Sequence, residues 1–149
     1  MIVYIDTSAL VPLVISEPTS AAAERIWDAA GRVVATPLVY VESHAALAHA
    51  QRLGGVTRAQ MRRGLSALAS LDQQLDRVEL THGLMRSAGG VAERHALRAC
   101  DAVHLAGALS LNDPNVVFAT GDRRLVAAAR EAGLATADLH ATSARLAPA

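Results

Sequence analysis

The sequence has one cysteine, no lysine, no surplus of charge of either sign and no apolar run long enough to cross a bilayer. Each shortage removes a class of protein. Cys100 alone cannot close an internal disulfide, so a disulfide-stapled scaffold is excluded and a reducing compartment such as the cytoplasm is expected. The longest apolar stretches, Met1 to Ile5 and Ala9 to Ile15, are broken by Asp6, Pro12 and Ser16. None reaches the ~20 residues of a membrane helix. No basic segment precedes an apolar block at the start, so no signal peptide is expected. The 14 basic residues, all arginine, balance 14 acids to a formal net charge of zero. Proteins that grip nucleic acid mainly by neutralising phosphates are distinctly basic. If this chain binds nucleic acid, the attraction must come from local arginines or from bound cations.

What is present is a globular composition: 149 residues, 52% hydrophobic and 19% charged, which suits one domain over residues 1–149. Residues 2–5 (Ile-Val-Tyr-Ile) are an apolar run without alternation, as in a central parallel strand. Further strands are expected at 32–36, 75–80, 115–119 and 134–139. Helices are expected from Thr7 or Ser8 to 16, then over 17–30, 37–53, 57–71, 81–95, 98–111 and 121–132. Gly89-Gly90 should interrupt the fifth of these, and a tail from about 140 to 149 reads as weakly ordered. Strands alternating with helices imply an α/β fold, a parallel sheet of four to five strands with helices on both faces. In such sheets the ligand site lies beyond the carboxyl ends of the strands, where Asp6 and Asp122 fall.

Ten of the acids, Glu17 among them, sit in polar company where hydration accounts for them. Asp6, Glu42 and Asp101 lie instead inside apolar sequence, where an unpaired carboxylate costs several kcal/mol. Asp122 joins them by position, carried by Val-Val-Phe-Ala-Thr-Gly-Asp (116–122) from a buried strand to a helix start. Each has an ordinary explanation. Asp6 and Asp122 can cap helices, and Asp101 can sit in a first helical turn favoured by the macrodipole. Together they suit one shared cation. Carboxylate oxygens without cysteine or a close histidine pair point to Mg²⁺ or Mn²⁺ rather than zinc. Cations so held activate water and stabilise phosphodiester displacement.

The ordered set Asp6-Thr7-Ser8, Glu42, residues 97–106 (Leu-Arg-Ala-Cys-Asp-Ala-Val-His-Leu-Ala) and 120–125 (Thr-Gly-Asp-Arg-Arg-Leu) resembles the PIN-domain ribonuclease toxins of the VapC type, over nearly the whole chain. The resemblance implies a Rossmann-like PIN fold and Mg²⁺- or Mn²⁺-dependent endonucleolytic cleavage of RNA. It also implies a homodimer and a cognate antitoxin protein as partners. Asp6, Glu42, Asp101 and Asp122 would form the metal site, with Thr7, Ser8 and Thr120 as hydroxyls that orient the carboxylates. Arg98, Arg123 and Arg124 flank the acids and are candidates for RNA phosphates. His104, one turn past Asp101, is left outside the metal set, and Cys100 is read as an inert core thiol.

Other readings fit less well. Aspartyl-phosphate phosphatases need a second Asp two residues after the first, where this chain has Ser8. A nucleotide-binding module would need a glycine-rich loop after the first strand. A degenerate PIN scaffold without catalysis is the remaining alternative, against which all four acids are retained. Leu, Val, Ile and Met in the first two helices and in 57–71 exceed what one monomer needs to bury, so a partner surface is expected there.

Overall fold

The computed structural model describes residues 1–141; most of the tail expected at 140–149 lies outside the described residues. Five strands form one parallel sheet: β1 (Ile2–Ile5), β2 (Arg32–Ala35), β3 (Asp76–Arg77), β4 (Val116–Thr120) and β5 (Ala135–Asp138), in the spatial order β3-β2-β1-β4-β5. β1 is central, with Tyr4 opposite Val34 on one side and Phe118 on the other.

The non-alternating apolar character of β1 follows from burial on both faces. Val3 and Ile5 enter one core layer with Leu10, Ile26, Leu47 and Leu68. Tyr4 enters the opposite layer with Phe118, Leu84, Leu105 and Leu125. The first layer is roofed by α1 (Thr7–Leu10), α2 (Ser20–Ala29), α3 (Leu38–Arg52) and α4 (Arg58–Asp72), the second by α5 (His82–His95), α6 (Ala99–Ser110) and α7 (Arg123–Glu131). No described helix is long and apolar enough to cross a membrane.

Several boundaries differ from the sequence expectation. The first helix does not run to 16: α1 has four residues and passes into a 3-10 turn at Val11–Leu13, where Pro12 has no N–H to continue an α-helical ladder. α2 starts at Ser20, not at 17; the Ser20 hydroxyl donates to the Pro12 carbonyl oxygen at 2.6 Å and ties the intervening loop down. β3 is two exposed residues rather than 75–80, because an edge strand has only β2 to pair with. α5 passes through Gly89 and Gly90 without a break, since Leu84, Ala88 and Val91 bury its inner face. The Thr57 cap is as expected, with Gln60 completing a capping box.

Gly107 of α6 is demanded by packing. A Cβ there would stand 2.6 Å from the Tyr4 hydroxyl and 2.9 Å from Thr36 Cγ2. The helix therefore lies directly on the end of the Tyr4 side chain.

Candidate active site

Ile5 is in register with Ala119, so β1 and β4 end side by side and release Asp6 and Thr120 next to each other. The sheet order changes direction here, β2 lying to one side of β1 and β4 to the other. A crevice opens at such a switch point. It is an open cavity of about 440 Å³ whose lining includes Asp6, Glu42, Asp101 and Asp122, together with Thr7, Ser8, Arg98 and His104. The four acids come from the end of β1, from α3, from α6 and from the start of α7, and the fold brings them to one place.

Asp6 lies deepest, 5% exposed. Its Oδ1 accepts the Ala9 N–H at 3.1 Å, capping α1, and the Ser8 hydroxyl at 2.8 Å. Oδ2 accepts the Thr120 hydroxyl at 2.8 Å. Both hydroxyls are in turn acceptors, Ser8 Oγ for the Gly121 N–H at 2.7 Å and Thr120 Oγ1 for the Asp122 N–H at 3.0 Å. Backbone donors occupy one side of each oxygen and direct its proton to Asp6. Thr7 likewise donates to Glu42 at 2.7 Å, so each of the three hydroxyls is hydrogen-bonded to a carboxylate. Burial nevertheless raises the Asp6 carboxyl from 3.8 to about 6, against the lowering effects of His104 and these hydrogen bonds.

Glu42 is half-buried. Burial alone would raise it, but hydrogen bonds from His104 and Thr7 outweigh that and hold its carboxyl below the usual range. The His104 bond, Nε2 to Oε2 at 2.6 Å, joins residues 62 positions apart and is not legible from sequence. The only local signal was its i+3 spacing from Asp101. Glu17, taken as a solvated acid, is another cavity-lining residue, as is His140. Partial burial raises the Glu17 carboxyl.

Asp101 and Asp122 face one arginine. Arg98 Nε donates to Asp101 Oδ2 at 2.9 Å, and Arg98 Nη2 stands 3.6 Å from Asp122 Oδ2. Asp122 Oδ1 caps α7 through the N–H groups of Arg124 and Leu125. The cap roles of Asp6 and Asp122 and their place at one cavity therefore coexist. Arg123 and Arg124 lie outside the cavity lining, and Arg124 donates to the Ala96 carbonyl oxygen at 3.0 Å. Cys100 is exposed, not a core thiol. It sits in the first turn of α6 at the site, and partial burial together with the charge of Glu42 pushes its thiol up.

The donor chemistry of four carboxylates suits a hard divalent cation. Among the described residues, however, no three His, Cys, Asp or Glu side chains stand close enough to hold an ion jointly. In this arrangement Asp101 and Asp122 are both engaged by Arg98.

A parallel sheet of this order with acids gathered at the switch point defines the class. The chain belongs to the PIN domain family, whose sequence profile matches residues 3–131. Within it the chain is of the VapC type. It is 39% identical over 132 residues to "Ribonuclease VapC45" of Mycobacterium tuberculosis, covering 89% of this chain and 92% of that protein. Among solved structures it is similar to M. tuberculosis VapC20, described as a sarcin-ricin loop cleaving toxin (TM-score 0.67, 19% identity, 89% of this chain and 95% of that one). It is also similar to a chain of a toxin-antitoxin complex from Klebsiella pneumoniae (TM-score 0.57, 16% identity, 80% and 86%). At these identities the structural likenesses establish the fold.

Proposed function

We propose that this chain is a divalent-cation-dependent endoribonuclease and the toxin of a toxin–antitoxin pair. The observation that carries the reading is the convergence of Asp6, Glu42, Asp101 and Asp122 from four separate elements on one cavity. The ribonuclease relative at 39% identity supports RNA as the substrate. The likeness to a chain of a toxin-antitoxin complex accords with an antitoxin partner. A homodimer and a cytoplasmic location complete the proposal.

Asp6, Glu42, Asp101 and Asp122 would hold Mg²⁺ or Mn²⁺, which when bound supplies charge neutralisation and water activation for phosphodiester cleavage. The chain's own residues prepare the site. Ser8, Thr120 and the Ala9 N–H fix both oxygens of Asp6, so its orientation is set before any ligand arrives. Asp101 and Asp122 must give up Arg98, an exposed side chain that leaves at little cost and is then free for a phosphate. With no net charge, the chain relies on such local cations to attract RNA.

Ser8 is engaged as both donor and acceptor, which disfavours the phosphatase alternative further. The test is cleavage of a structured RNA by the purified protein in Mg²⁺, Mn²⁺ and chelator, with Asp6→Asn and Asp101→Asn beside it. Cleavage only with the cations, reduced by orders of magnitude in both variants, is expected. Undiminished cleavage in chelator overturns the cation dependence, and no cleavage under any condition leaves the non-catalytic scaffold as the better reading.

A further inference from the structure

His104 lies 2% exposed in the most apolar helix of the molecule, flanked by Val103 and Leu105. A histidine buried there needs partners for both ring nitrogens. Nε2 is 2.6 Å from Glu42 Oε2, and Nδ1 is 3.4 Å from the Tyr4 hydroxyl. The carboxylate only accepts, so Nε2 carries the shared proton. Nδ1 faces the hydroxyl of Tyr4, whose burial keeps its phenol protonated far above the ordinary range.

Tyr4 is itself held without freedom. It stacks on Phe118 with centroids 5.5 Å apart and planes 9° off parallel, and meets the His104 ring edge-on at 6.2 Å. The bare Gly107, one turn after His104, gives its hydroxyl the room to sit under α6. A chain of contacts thus runs from the centre of the sheet through Tyr4 and His104 to Glu42. The two close donors to Glu42, His104 Nε2 and Thr7 Oγ1, both end on Oε2. Neither engages Oε1.

We propose that His104 is a positioning residue for Glu42: anchored through Tyr4 to the central strand, it clamps Oε2 together with Thr7 and presents Oε1 to the cavity. This rests on the reading that Glu42 is a cation ligand. A purely structural histidine would serve only to fill and satisfy the core under α6, and the two roles respond differently to substitution. His104→Leu keeps volume and removes both nitrogens, whereas His104→Gln restores an N–H near the position of Nε2.

The experiment measures Mn²⁺ affinity by electron paramagnetic resonance, RNA cleavage (kcat and KM separately), thermal unfolding in chelator, and the ¹⁵N shifts of the His104 ring in metal-free protein. Removing a side chain that orients a ligand commonly weakens metal binding by about 10–100-fold. His104→Leu should show a loss of that size with kcat lowered and KM little changed. His104→Gln should recover most of it, and the wild-type ring should carry its proton on Nε2. Wild-type Mn²⁺ affinity in His104→Leu, or equal losses in the two variants, overturns the proposal. Should His104→Leu fail to fold, His104→Gln and the spectrum decide. Absence of Mn²⁺ binding by the wild type sinks the cation site itself; the spectrum is independent of that result, and a ring without a proton on Nε2 overturns the clamp.

Discussion

Asp6 gives the sharpest quantitative test, because the structure buries it while the proposed cation would share its charge. In metal-free protein its carboxyl is raised from 3.8 to about 6. The folded state therefore holds the proton more tightly than the unfolded chain. Its stabilising contribution is complete below the unfolded value and is lost as pH rises through about 6. At ~1.4 kcal/mol per tenfold change in proton affinity, the loss is roughly 3 kcal/mol. For a chain of this size 1 kcal/mol corresponds to about 2–4 °C, so the effect on Tm is roughly 6–12 °C. The perturbation is Asp6→Asn, which stays neutral throughout. Groups common to both proteins, including Glu42 with its opposite pH dependence, drop out of the difference. Calorimetry in chelator should show Tm of wild type minus Tm of Asp6→Asn falling by that amount from about pH 4 to about pH 7.5. Adding Mg²⁺ at about 100 times its dissociation constant near neutral pH should return about 2.7 kcal/mol to the wild type. A difference that stays constant, or grows in favour of the wild type as pH rises, refutes the reasoning.

Arg98→Gln frees Asp101 and Asp122 from their present partner, and calorimetric titration should find tighter Mn²⁺ binding; unchanged or weaker binding would show that Arg98 does not compete for the site. Gly107→Ala forces a Cβ against the Tyr4 hydroxyl and should cost about 1–3 kcal/mol in denaturant unfolding. The double variant with Tyr4→Phe should cost less than the sum of the single changes, and strict additivity would count against that contact. Thr57→Ala removes the capping box of α4 and should lower stability by about 1 kcal/mol while leaving RNA cleavage intact; a change in cleavage would tie α4 to the site.

Most of the architecture was legible because its signals are local. A run such as Ile2–Ile5 without alternation announces a strand covered on both faces, and Asp6 announces its end. The carboxylates stood out because charge in apolar sequence demands compensation, and all four meet at one cavity. Relations across distance were invisible. His104 and Glu42 are separated by 62 positions, and no spacing rule links them. The bond between Arg98 and Asp101 follows from i,i+3 geometry, whereas the approach of Arg98 to Asp122 depends on how α6 and α7 meet. Cys100 differs from its expected burial because apolar sequence neighbours do not decide which face of a helix's first turn is covered, and here that face is exposed. The expected strand at 75–80 shrank to two residues because pairing on one side alone supports so little of it.

The hydroxyl of Thr120 and the carboxylate of Asp6 are neighbours in space but 114 positions apart in the chain. β1, made first, has an unfilled side until β4 arrives to pair with it. On the ribosome, therefore, Asp6 and Glu42 emerge long before the residues that complete their surroundings, and the cavity has no far wall until Asp122 has cleared the exit tunnel. Carboxylates laid out in this order cannot share one cavity while the growing chain is still short. Assembly is timed by chain length itself.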